Sequence, residues 1–245
     1  MASPGAIAAV GEVGKDFLQD RSSETLPCQA RPDKLFCWDW ARENIDRYGT
    51  PTVQHVELVA ISVVLGFAVA FALALLAHRR RWLQPPLLAA TGVLYTIPSL
   101  AFFFLLLPLT GRGRDTAVIA LSAYTLQIIY RNTMVGLSNV PESVKDAARG
   151  MGLTRRQILW KVELPLAAPE IFAGLQIATV STVAIATLAV FAGGGGLGTP
   201  IKAGIDFATN IIIAGGIAIL IAIGFGLILY AIQRRLTPWR RARAA

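Results

Sequence analysis

The segment Ser138-Asn-Val-Pro-Glu-Ser-Val-Lys-Asp-Ala-Ala-Arg-Gly-Met-Gly-Leu-Thr-Arg-Arg-Gln-Ile-Leu-Trp-Lys-Val-Glu-Leu-Pro-Leu166 is polar and basic, and long apolar runs lie on either side of it. Pro141 suits the first position of a helix. Val144, Ala147, Ala148 and Met151 then recur at i, i+3, i+4 and i+7, one apolar stripe of that helix. Gly152 follows as a residue able to take positive φ and end it. Thr154 with Gln157 three residues later reads as a capping box opening a second short helix, which runs toward Pro165. The pattern predicts a helix–turn–helix elbow with small alanines on an exposed apolar face, a surface suited to a partner's groove. Lys145 is expected on the opposite, solvated face.

Working outward, five stretches are apolar enough to cross about 30 Å of hydrocarbon, which takes roughly 20 residues of helix. They are Val56–Ala77, Leu87–Leu109, Thr116–Val135, Ile171–Ala192 and Ile211–Ile232. The third carries Gln127, Arg131 and Asn132 in its second half and is the least apolar. The expected architecture is an all-α integral membrane protein of about five transmembrane helices within residues 55–235. Residues 1–54 form an N-terminal segment, 138–166 the elbow loop, and 236–245 a basic tail. Composition agrees, since the 245 residues are 54% hydrophobic and 16% charged, against about 25% charged in soluble domains.

The net charge of +8 is distributed by loop. Arg79, Arg80 and Arg81 lie between the first two spans; Lys145, Arg149, Arg155, Arg156 and Lys161 lie in the elbow. Arg234, Arg235, Arg240, Arg241 and Arg243 follow the last span. The alternate loops hold only Arg112, Arg114 and Lys202. Basic residues collect on the cytoplasmic side, so the N-terminus is expected outside and the C-terminus and elbow inside. The positive charge thus reads as membrane orientation and not as a nucleic-acid surface. The apolar stretch Ala6–Val10 is too short for a secretory signal.

Cys28 and Cys37 fall in the outer segment, where disulfides persist; nine residues apart, they could close a small loop or remain two thiols. Trp38-Asp39-Trp40 with Ile45 and Tyr48 reads either as an amphipathic helix lying on the membrane surface or as a helix packed on the bundle.

No Asp, Glu, Lys, Arg or His falls in Leu58–Ala77, Leu87–Leu109, Thr116–Tyr130, Ile171–Ala192 or Ile211–Ile232. Ionisable groups inside a membrane mark proton relays and ion sites. Their absence argues against a proton-driven carrier, an intramembrane protease or a voltage-gated channel; it leaves sodium coupling through backbone carbonyls as an alternative to the expected energy source on another chain. No His/Cys metal spacing or Gly-rich nucleotide loop occurs, so no cofactor or catalytic residue is expected. Tyr95, Thr96, Pro98 and Ser99 in the second span, and Gln176, Thr179, Ser181 and Thr182 in the fourth, are candidates to line a translocation path. Pro98 breaks its helix and frees a carbonyl nearby. Interhelical packing would use the same hydroxyls.

The elbow also carries a family resemblance. Asp146-Ala147-Ala148, Gly152 four residues later, and Val162-Glu163-Leu164-Pro165 after nine more resemble the Glu-Ala-Ala…Gly…Ile-x-Leu-Pro motif of binding-protein-dependent ABC importer permeases. Asp stands for Glu and Val for Ile, with the spacing kept. The resemblance implies a type I ABC importer permease fold. It makes the elbow a coupling helix, with Asp146, Ala147, Ala148, Gly152, Leu164 and Pro165 as its coupling residues, inserted into a groove of a cytoplasmic ATPase subunit. It further implies a second permease subunit, the same or paralogous, an extracytoplasmic binding protein, and a bacterial inner membrane location.

A narrower resemblance runs from about Trp38 to Gln233. Trp38-Asp39-Trp40, Tyr95-Thr96-Ile97-Pro98-Ser99-Leu100-Ala101 and Gly193–Gly198 with Thr199-Pro200-Ile201 are similar to the osmoprotectant permeases. These import glycine betaine, choline, carnitine, proline betaine or proline. The glycines are expected to turn the chain before a short re-entrant or interfacial segment near Ile201–Phe207. Amino acids, thiol betaines or sulfonates are alternative cargoes within the family, and a membrane scaffold or sensor is the alternative outside it.

Overall fold

Apolar segments that enter a bilayer must satisfy every backbone N–H and C=O internally, which favours helices. The computed structural model describes residues 35–238, and every regular element among them is helical. Helix α1, Trp38–Asn44, passes through a 3-10 turn at Ile45–Tyr48 into α2, Gly49–Arg79, whose 31 residues span about 46 Å. A second 3-10 turn, Arg81–Leu83, leads to α3, Gln84–Thr96, with prolines in its first turn, where a missing N–H costs no helical bond. Ile97 is extended, as a residue before proline prefers. Helix α4, Ser99–Thr110, leaves at 100° to α3.

Helix α5 covers Arg114–Ser138, and the elbow follows as α6, Glu142–Gly150, and α7, Arg155–Ile158. A π turn at Leu159–Glu163 joins α7 to α8, Leu164–Ala186. In a regular α-helix the Pro165 ring would press on the Lys161 carbonyl. The wider turn, with the Leu164 N–H bonded to the Leu159 carbonyl, sits where that crowding falls. A 3-10 turn at Thr187–Ala192 ends at Gly193, whose φ is +85°. Helices α9, Gly198–Ala203, and α10, Ala208–Leu236, complete the described chain.

Three helical runs among the described residues are long and apolar enough to cross a membrane: Trp38–Arg79, Arg155–Ala192 and Ala208–Leu236. The α3–α4 pair makes a fourth if its two bent arms count as one span. The second expected span is therefore two helices at a right angle, because Pro98 removes a backbone donor and forces Ile97 extended. The third is the 25-residue α5, long enough to cross but less apolar, with Gln127, Arg131 and Asn132 in its second half.

The chain divides into two compact units. The first takes the described part of Met1–Ile61, with Ser99–Ala120 and Val183–Ala222. Its core joins Cys37, Trp40, Tyr48 and Ala214 with Ile201 and Phe207. The Trp40 ring stands edge-on to Phe207 at 5.0 Å, and the Cys37 N–H donates to Thr209 Oγ1 at 2.9 Å. Of the two readings of the tryptophan segment, packing holds for Trp40 and Tyr48, whereas Trp38 and Ile45 lie exposed. Of the expected segment near Ile201–Phe207, only the first residues are helical, at the end of α9; the rest turns into α10, with Phe207 packed on Trp40. Cys28 and the basic tail beyond Pro238 lie outside the described residues.

The second unit comprises Ser62–Pro98, Leu121–Thr182 and the described part of Ile223–Ala245. Ala70, Ala74 and Ala77 of α2 pack with Ile129, Tyr130 and Ala178, the small side chains letting helices approach closely. Leu137, Leu159, Ala167 and Ile171 form a second cluster with Phe67 and Phe71. This cluster reaches the π turn that follows the elbow through Leu159.

Candidate functional site

The elbow forms as its local signals dictate. Pro141 is the N-cap of α6. The Thr154 side chain accepts from the Gln157 N–H while Gln157 Oε1 accepts from the Thr154 N–H at 2.8 Å, a complete capping box. Gly152 between them has φ +81°, a conformation that a side chain makes costly.

The predicted apolar stripe divides in two. Val144, Ala147 and Met151 (73% exposed) form an outward ridge. Ala148, expected on the same exposed face, is instead 1% exposed. One helical face cannot point wholly outward when the elbow folds back on its own chain, and Ala148 is the position turned inward. Asp146 is exposed and ion-paired to Arg149 at 2.5 Å, while Leu164 and Pro165 are half-buried at the start of α8.

Charge holds the elbow as well. Glu142 bridges Lys145 and Arg149, each at 3.0 Å. Hydrogen bonds from Lys145 and then Arg149 hold its carboxyl below the usual glutamate range. Lys145 does not stand on a solvated face as expected. Its side chain is largely buried, and Nζ lies 3.9 Å from Oε1 of Glu163, itself buried at the end of the π turn. The other carboxylate oxygen, Oε2, is 2.9 Å from His78 Nε2 at the end of α2. Glu163 occupies the variable position of the Val-x-Leu-Pro string, so the motif gave it no weight.

The candidate path residues separate by environment. Tyr95, Thr96 and Pro98 are exposed at the α3–α4 break, and Ser99 is half-buried at the start of α4. The Thr96 hydroxyl donates to the Val93 carbonyl at 2.8 Å. Tyr124, absent from the sequence candidates, stands edge-on to Tyr95 at 6.1 Å and donates its hydroxyl to the Ile97 carbonyl. It thereby satisfies a carbonyl left beside the proline break. Gln127 and Thr91 bond to each other at 2.5 Å across α3 and α5. On α8, Thr179 and Thr182 are buried, and each hydroxyl donates to the carbonyl four residues back at 2.7 Å. Gln176 Nε2 donates to Gln233 Oε1 at 3.3 Å, and Ser181 is half-buried without a role in the cores above.

Near-apolar helices joined by a folded, charged elbow with an exposed apolar ridge define a helical membrane protein. The comparisons make the class specific. The family model described as "Binding-protein-dependent transport system inner membrane component" matches residues 62–242, and the chain belongs to that family. It is 38% identical over 203 residues to the osmoprotectant import permease protein OsmW of Salmonella typhimurium, covering 80% of this chain and 94% of that one. With the choline transport system permease protein OpuBB of Bacillus subtilis it shares 35% over 189 residues, 76% of this chain and 87% of the relative.

Solved structures agree on the fold. The inward-facing MetNI methionine ABC transporter superposes at TM-score 0.61 with 22% identity, over 73% of this chain and 93% of that one. An amino acid ABC transporter does so at 0.67 with 18% identity, over 81% and 98%. The chain is a multi-pass permease subunit of an ABC importer with the type I permease fold.

Proposed function

We propose that this permease moves a small compatible solute of the glycine betaine, choline, carnitine or proline type, handed over by an extracytoplasmic binding protein. The observation carrying this reading is the likeness, over about four-fifths of the chain, to a permease named for osmoprotectant import. The subunit acts with a second permease copy or paralogue, because alternating access uses two halves that rock against each other. The elbow docks on a cytoplasmic ATPase, which supplies the energy that no group of this chain provides. Asp146, Ala147, Ala148, Gly152, Leu164 and Pro165 form the coupling element: Ala147 lies on the ridge, and Ala148 seats it. Arginine asymmetry supports an outer N-terminus and a cytoplasmic C-terminus, with Cys28 and Cys37 bonded on the outer side.

Tyr95, Thr96, Pro98 and Ser99, with the half-buried Gln176 and Ser181, are the stronger path candidates because they are not fully buried within their own chain. Thr179 and Thr182 contribute to a path only if the helices part during transport. The quaternary ammonium group of a betaine is recognised by aromatic faces through cation–π attraction, and the high-affinity pocket belongs to the binding protein.

The test is uptake into vesicles holding the chain with its ATPase and binding protein. Glycine betaine, choline, carnitine and proline are offered singly. At least one should accumulate with internal ATP and in the presence of an uncoupler. Accumulation that stops with the uncoupler, or an ATP-driven system indifferent to all four solutes, would overturn the energy source or the cargo class respectively.

A further inference from the structure

The elbow does not touch the membrane helices through apolar contact alone. We propose that Glu163 is a positioning residue for transport, the carboxylate through which movement of the elbow is passed to α2 as well as to α8. Three elements meet at this one side chain. Glu163 itself ends the π turn that opens α8. Its Oε2 accepts from His78 Nε2 at 2.9 Å, in the last turn of α2. An ionised carboxylate only accepts, so in this pairing the ring donates from Nε2. Its Oε1 faces Lys145 of the elbow helix at 3.9 Å, too long for a hydrogen bond but close enough for charge attraction in a buried setting. Lys145 is tied in turn to Glu142 at 3.0 Å, and Glu142 to Arg149 at 3.0 Å.

Burial decides the role. A buried carboxylate is costly unless charged or hydrogen-bonding partners surround it, and Glu163 is 7% exposed. Its two partners come from different elements, so a shift of α6 that draws Lys145 away leaves the charge under-compensated. The cheapest response is a concerted one, in which the π turn and the end of α2 follow. A π turn is a local widening often found at functional sites, and this one carries the acceptor. An apolar contact would not report direction in the same way, since it can slide at little cost. The ridge of Val144, Ala147 and Met151 would thus receive the push, and Glu163 would distribute it.

This inference rests on the reading that an ATPase docks on the elbow, and two measurements keep the two apart. The first uses the full chain alone in lipid nanodiscs and follows amide hydrogen exchange. Glu163→Gln should speed exchange at least fivefold in both the elbow and the segment around His78, whereas Lys145→Met should do so chiefly in the elbow. The second uses the whole complex with glycine betaine-loaded binding protein, or, should that not stimulate it, with ATP alone. Glu163→Gln should lower uptake per ATP hydrolysed, or the ATP-driven change in exchange at His78, at least tenfold at unchanged ATPase association, with recovery in Glu163→Asp. If Glu163→Gln fails to insert, His78→Gln is read in its place, with the same uncoupling expected. Faster exchange confined to the elbow, or an uptake-to-hydrolysis ratio within twofold of the parent, would overturn the proposal. Loss of ATPase association by the unmodified chain would instead reject the docking reading, while the nanodisc result still decides the role of Glu163.

Discussion

A Cβ added at Gly198 would lie 1.9 Å from the Thr187 carbonyl oxygen, whereas one added at Gly150 or Gly152 would meet nothing within 4 Å. The contrast extends to whole regions. Around Gly193–Gly198, glycines are squeezed against their own chain: Gly194 would strike Ala117 Cβ at 2.6 Å, and Gly195 the Gln54 amide oxygen at 2.8 Å. The Gly196 N–H is held by that same Gln54 oxygen at 3.2 Å. In the elbow, Gly150, Gly152 and Ala147 have open space before them on or beside an exposed apolar ridge, and only Ala148 is covered. The glycine-rich turn is small so that its own helices can close on it. Ala147 and Gly150 are small although no neighbour in their own chain demands it, unlike the buried Ala148 and the positive-φ Gly152, and this is what a surface shaped for another chain looks like.

Substitutions at the two regions should therefore fail in different ways. Gly198→Ala should have the largest effect, because the backbone at Thr187 must move. Folded, extractable protein is expected to fall severalfold, as measured by fluorescence-detected size exclusion. Gly152→Val comes next: a β-branched residue at φ +81° costs on the order of 1–2 kcal/mol, which should loosen the elbow in hydrogen exchange yet leave the spans inserted. Gly150→Ala, its helical neighbour, should stabilise α6 by about 0.5–1 kcal/mol, seen as slower exchange in residues 142–150. A Gly150→Ala chain that failed to insert as Gly198→Ala does would erase the contrast between the regions.

The smallest effect is expected from acid. Glu142 has its ionisation favoured in the fold, so its contribution is present above the ordinary glutamate value of about 4.3. It is lost as pH falls through the lowered folded value. Because the Glu142–Arg149 pair is solvent-exposed, Glu142→Gln at neutral pH should change elbow exchange less than twofold, and the part of the elbow's acid sensitivity that Glu142 carries should vanish with it.

The same contrast governs what could be read from the chain. The elbow was legible because its signals are local: Pro141, Gly152 and the Thr154–Gln157 pair act within a few residues of themselves. Three of the apolar spans were legible because twenty apolar residues need no context. The right-angle turn at Pro98 was only half legible, since proline announces a break but not its direction. Lys145 was misread because its partner Glu163 is eighteen residues away and reaches it only through the fold. Ala148 was misread for the same reason, since a stripe does not say which of its members a neighbour will cover. Thr179 and Thr182 show the limit most plainly. A hydroxyl in a span serves a path or its own helix, and only the burial of both side chains separates them from Tyr95 and Thr96.

That the elbow is built for another chain is tested most directly by Ala147→Asp. Ala147 is exposed in the described chain, so an added carboxylate stays hydrated there and should leave insertion, extraction and elbow exchange as they are. Against an ATPase groove the same carboxylate would be buried without a partner. Co-purification of the ATPase with the Ala147→Asp chain, at matched expression, is the measurement. The expected result is at least a tenfold loss of bound ATPase with the chain itself intact. Undiminished ATPase binding would contradict the assignment of this ridge as the docking surface.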